Sequence, residues 1–177
     1  MATSDIQTIL KAAAFAAHKH RDQRRKDEAA SPYINHPIAL ANILANEGGI
    51  TDATVIVAAL LHDTVEDTET TPAELQNLFG EQVAQVVMEV TDDKSLPKAQ
   101  RKRLQIEHAG NISARARLVK MADKISNLRD IAASAPKDWT LVRRREYFDW
   151  AKQVVDGLGD VSPPLRRAFD AAYQRKP

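Results

Sequence analysis

Val55-Ile56-Val57-Ala58-Ala59-Leu60-Leu61-His62-Asp63-Thr64-Val65-Glu66-Asp67 runs from an apolar stretch straight into one imidazole and three carboxylates. Thr51-Asp52 in front of it reads as a helix opening. Residues four apart share a helical face, so one continuous helix would set His62 over Glu66 and Asp63 over Asp67 as a single wedge. Burying adjacent carboxylates costs several kcal/mol each unless a cation compensates them, and a divalent metal is the economical explanation.

Outward from this segment, helix punctuation recurs and nothing reads as a β-domain. Ser4 and Gln7 form a capping-box pattern ahead of Leu10, Ala13, Ala14 and Ala17. Residues 22–32 are polar, end in Ser-Pro and predict a loop. A helix is expected to start at Pro37, leaving His36 just outside it, and to stop at Gly48-Gly49. Thr71-Pro72-Ala73-Glu74 is a second capping box, and Val83, Val86, Val87 and Val90 form an amphipathic stripe. After a loop over 92–97 comes a polar helix over 98–109, in which Lys98 to Arg103 reads as an exposed face. Ser113 caps a helix carrying Leu118, Met121, Ala122, Ile125 and Leu128, and weaker helices are expected over 141–156 and 164–175. The fold expected is all-α, a single domain over 1–177 with its core at about 5–156 and a helical extension at about 157–177.

Composition bounds the partners. The 25 Lys plus Arg nearly cancel the 24 Asp plus Glu, so no bulk field favours nucleic acid or an anionic membrane. With no cysteine and no secretory pattern at the start, the chain fits a reducing cytoplasm. The apolar run over 55–61 is too short to span a bilayer. Composition says nothing about oligomeric state.

His36, His62, Asp63 and Asp123 can form a metal site if the fold brings their segments together. Such a set suits Mn²⁺, Fe²⁺ or Zn²⁺ and leaves room for water and a phosphate oxygen. His18 and His20 stand two apart, point to different helical faces and make poor joint ligands, while His108 sits in a polar helix and reads as solvated. Arg21, Arg24, Arg25 and Lys26, and separately Arg143, Arg144 and Arg145 before Tyr147, are basic patches that can hold an anion or stack on a base.

Four ordered segments carry a resemblance: Arg24-Arg25-Lys26, Pro32-Tyr33-Ile34-Asn35-His36-Pro37, 59–67, and Leu118 to Leu128 containing Lys120-Met121-Ala122-Asp123-Lys124. Over residues 5–156 the chain resembles the HD-type hydrolase domain of RelA/SpoT homologues, and among these the small stand-alone alarmone hydrolases. The resemblance implies a multi-helix HD fold, bound Mn²⁺ and hydrolysis of the 3′-pyrophosphate of ppGpp or pppGpp. It matches His36, His62, Asp63 and Asp123 to metal ligands, and Glu66 and Asp67 to a catalytic acidic pair. It matches Arg25, Lys26 and Asn127, and more loosely Arg143 and Tyr147, to contacts with a guanine nucleotide. Two alternatives remain: a phosphatase on another ribose-phosphorylated nucleotide such as NADPH, and a non-catalytic nucleotide sensor, which would have no use for the Glu66-Asp67 pair.

Overall fold

The computed structural model describes residues 3–177, with side chains described from Asp5 onward, so the expected Ser4 cap lies outside the described side chains. Among the described residues the regular structure is all helical, with one isolated bridge between Arg24 and Pro32. The helices are α1 (Thr3–Lys19), α2 (Asn35–Asn42), α3 (Ala53–Leu61), α4 (Thr64–Asp67) and α5 (Pro72–Phe79), followed by α6 (Glu81–Val90), α7 (Lys98–His108), α8 (Ala114–Ser134), α9 (Leu141–Gly157) and α10 (Pro163–Tyr173). Short polar side chains start them where the sequence says. Asp52 accepts from the Thr54 N–H at 2.9 Å, Thr71 from Glu74 at 3.1 Å and Ser113 from Ala116 at 3.2 Å, each satisfying a donor that has no partner inside its helix.

α3 is the axis of the molecule. Every residue from Val55 to Leu61 is buried, so the helix has no solvent face and is enclosed by α1, α2, α6 and α8. α8 runs beside it and also meets α9 and α10. Leu165, Phe169 and Ala172 of α10 are buried in the same core, which makes the expected extension part of the packing. Gly48 shows how close that packing is: a Cβ there would lie 2.9 Å from Leu165 Cδ2 and 2.7 Å from the Leu44 carbonyl oxygen.

The structure departs from expectation at four points near the site. α2 begins at Asn35, so His36 and Pro37 both lie in its first turn, where a missing proline N–H costs no helical bond. α2 then runs into a π-helical turn, Ile43–Glu47, before the glycines. The apolar helix does not continue through the acidic pair. It stops at Leu61, whose carbonyl accepts the Thr64 hydroxyl at 2.7 Å, and Asp63 takes φ −98° and ψ −3° before α4 opens as a separate turn. Lys98 to Arg103 is not simply an exposed face: α7 packs on α9, the Trp150 indole donates to the Lys102 carbonyl at 3.0 Å, and Arg101 turns inward.

Candidate active site

α2, the α3–α4 turn and α8 converge on one point. His62, at the end of α3, is buried; its Nδ1 donates to the Ala59 carbonyl at 2.8 Å, so Nε2 faces inward. That Nε2 makes no hydrogen bond although it lies 2.9 Å from Asp63 Oδ2. His36 is held through Nδ1 by the Ser126 hydroxyl at 3.3 Å and presents Nε2 to Asp123 Oδ1 at 3.2 Å. One donor atom each from His36, His62 and Asp123 falls within 4.8 Å of the others, the arrangement of a cation site. Asp63 borders this group and is pinned by the Tyr33 hydroxyl, which donates to it. Asn127 donates to Asp123 at 2.6 Å, so it supports a ligand from one turn away as well as lining the cavity.

The charges confirm how concentrated this point is. Burial would lower the His62 pKa, yet Asp63 and Asp123 lift it to about 9. Burial would raise Asp63 and Asp123, but His62 holds Asp63 low, and Lys124 with His36 holds Asp123 well below the carboxylate range. An inward imidazole nitrogen without a hydrogen bond, beside carboxylates kept ionised, fits a divalent metal. His36, His62 and Asp123 would hold it, with Asp63 adjoining.

Glu66 and Asp67 line the same cavity, of about 250 Å³, but the break before α4 sends them to different supports. Glu66 Oε2 accepts from the Asp92 backbone N–H at 3.0 Å, and Oε1 lies 3.7 Å from Arg101. Burial raises its pKa against the pull of that N–H. Asp67 instead accepts from Gln23 at 3.2 Å and pairs with Lys94. On the far wall Lys120 donates to the Val90 carbonyl at 3.1 Å, and burial next to Lys124 draws its pKa down to about 8.

A second cavity of about 560 Å³ adjoins the first, the two sharing Arg25, Tyr33, His36, Asp67, Asn127 and Tyr147. Lys26 and Trp139 complete its wall, and Trp139 and Tyr147 bring their rings within 5.5 Å. Arg25 pairs with Asp130 at its edge. Arg143 lines neither cavity; it stacks on Trp139 at 4.4 Å, so its expected contact becomes an indirect one at the rim. A polar, charged pocket opening into a larger one with aromatic walls suits a phosphorylated nucleoside. His18 and His108 are exposed and outside the site.

Sequence reading missed His20, Gln23, Asp92, Lys94, Arg101, Gln105, Lys120 and Lys124. For Lys120 and Lys124 a signal existed: with Asp123 and Asn127 they stand at i, i+3, i+4 and i+7, a polar stripe along one face of α8. The others lie on loops or on α7, where no periodicity points to the site.

Comparison with known proteins agrees with this geometry. The HD domain family model matches residues 12–149. A Xenopus tropicalis protein named guanosine-3′,5′-bis(diphosphate) 3′-pyrophosphohydrolase MESH1 is 55% identical over 171 residues, covering 97% of this chain and 96% of its own. The Homo sapiens protein of the same name is 54% identical over 98% of this chain and 97% of its own. A solved structure described as a metazoan ortholog of SpoT that hydrolyses ppGpp superposes with a TM-score of 0.92 at 49% identity, covering 95% of this chain and 94% of that one. With a domain match over most of its length and relatives more than half identical from end to end, the chain belongs to the HD-domain family, in the Mesh1 group of SpoT-like proteins.

Proposed function

We propose that this protein is a guanosine-3′,5′-bis(diphosphate) 3′-pyrophosphohydrolase, converting ppGpp or pppGpp and water to GDP or GTP and pyrophosphate in the cytoplasm. Its named relatives carry that activity over nearly the whole chain. The observation that carries the reading is the cavity that Glu66 and Asp67 share with His36, His62, Asp63 and Asp123, joined to an aromatic-walled pocket large enough for a nucleoside. The chain acts as one unit, because α10 is packed into the common core.

A divalent ion, which we take to be Mn²⁺, would be held by His36, His62 and Asp123 with Asp63 adjoining, and would supply Lewis acidity and an acidified water. The residues of the chain do the rest. Glu66, whose pKa burial raises above its ordinary value, takes the water proton. Asp67 orients the same water. The water oxygen bonds to the phosphorus attached to the ribose 3′-oxygen, the P–O3′ bond breaks, and the 3′-oxygen gains the proton that Glu66 took from the water as pyrophosphate departs. Lys120 and Lys124 hold positive charge on the wall facing those phosphates. Arg25 and Tyr147 border the nucleoside, with Lys26 at the mouth and Arg143 braced on Trp139.

The test is product analysis with metal-loaded protein. Equimolar GDP and pyrophosphate from ppGpp, stopped by chelation, is the expected result, with NADPH turned over more slowly. Release of inorganic phosphate from ppGpp, or faster turnover of NADPH, would overturn the assignment.

A further inference from the structure

His20 is 2% exposed and has no place in the metal site, yet it is not an inert core residue. Its Nδ1 lies 2.6 Å from Gln23 Oε1, and Gln23 Nε2 donates to Asp67 Oδ2 at 3.2 Å. The two contacts fix the amide orientation. Asp67 as a carboxylate can only accept, so the Gln23 NH₂ must face it, and Oε1 is left to accept from Nδ1–H of His20. Gln23 is also tied at both ends of its backbone: its N–H donates to the His20 carbonyl at 3.0 Å, and its carbonyl accepts from the Tyr33 N–H at 3.1 Å. The His20 ring rests 4.8 Å from the Tyr33 ring, whose hydroxyl holds Asp63. The other support of Asp67, Lys94, is half exposed and comes from a loop.

We infer that His20 and Gln23 are positioning residues: a buried histidine–glutamine chain that holds Asp67 by its Oδ2 and locks its rotamer, so that Oδ1, which also meets Lys94, is aimed at the reacting water. This rests on the assignment of Asp67 to that water. α4 is a single turn and cannot hold a carboxylate direction alone, whereas an amide anchored at His20 and at its own backbone can. A buried histidine whose Nε2 meets no partner is a poor choice for stability, and its use here is the donor it offers Gln23.

The experiment compares Gln23→Leu, Asp67→Asn and the double variant in metal-loaded protein with ppGpp. Gln23→Leu should lower kcat by roughly 10–100-fold, as for loss of a hydrogen bond to a charged group, with KM and metal content unchanged. The double variant should be no slower than Asp67→Asn, because the two act through one carboxylate. His20→Asn, whose amide N–H stands where Nδ1–H stood, should retain most turnover, while His20→Leu should behave like Gln23→Leu. Unchanged kcat in Gln23→Leu beside a crippled Asp67→Asn would overturn this inference and leave Asp67 in place. Losses that multiply in the double variant, or a loss of metal in Gln23→Leu, would also overturn it. Full turnover in Asp67→Asn would overturn both this inference and the role of Asp67.

Discussion

At the scale of single residues, the site separates into atoms that would hold the metal and atoms that would handle water, and variants should fail in two ways. His62 has its other nitrogen committed to the Ala59 carbonyl, so nothing else can take its place; His62→Ala should lose metal and activity together. Glu66→Gln and Asp67→Asn keep shape but lose charge, and each should keep its metal while kcat falls by about 10²–10⁴-fold. Metal stoichiometry measured beside turnover distinguishes the two. Loss of metal from Asp67→Asn would move Asp67 into the ligand set.

At the scale of elements, the start of α3 decides where His62 and Asp63 stand, and Asp52 defines that start. It caps the Thr54 N–H and takes the Arg115 guanidinium at 2.7 Å. Burial pushes the Asp52 pKa up, but the Arg115 and Thr54 hydrogen bonds outweigh it and hold the group below its ordinary 3.8. A carboxylate with a lowered folded pKa contributes stability above its unfolded value and loses that contribution as pH falls through the folded one. Asp52→Ala should therefore cost about 0.5–2 kcal/mol near neutral pH, the usual loss of an N-cap. The gap from the parent protein should narrow below the ordinary 3.8, which urea midpoints along a pH series measure. A gap that stayed constant with pH would make the contribution of Asp52 independent of its charge.

At the scale of the whole molecule, the proposed ion would join α2, the α3–α4 turn and α8, segments up to about ninety residues apart in the chain. A ligand that binds only the folded state stabilises it by about 2.7 kcal/mol at a hundredfold excess over Kd, which for a chain of this size is a Tm rise of roughly 5–11 °C. Chelation should lower Tm by that amount in the parent protein and leave Asp123→Ala almost unmoved. Equal effects in both proteins would mean that the ion binds elsewhere.

Much of this was legible in the chain because the signals are local. Asp52, Thr71 and Ser113 begin helices through their own side chains, the run over 55–61 is apolar on every face and so belongs inside, and His36, His62, Asp63 and Asp123 sit in recognisable segments. What the chain could not show depends on groups meeting across space. The hydroxyl of Thr64 competes for the Leu61 carbonyl and ends α3, so Glu66 and Asp67 part company instead of forming one wedge with His62 and Asp63. Gln23 and Lys94 find Asp67, and the Asp92 N–H and Arg101 find Glu66, each from a loop or helix with no periodicity that points there. Helix starts and apolar faces follow from neighbours in sequence and were determined by the sequence itself; the directions in which the Glu66 and Asp67 carboxylates point follow from hydrogen bonds between distant segments, and only the tertiary structure decided them.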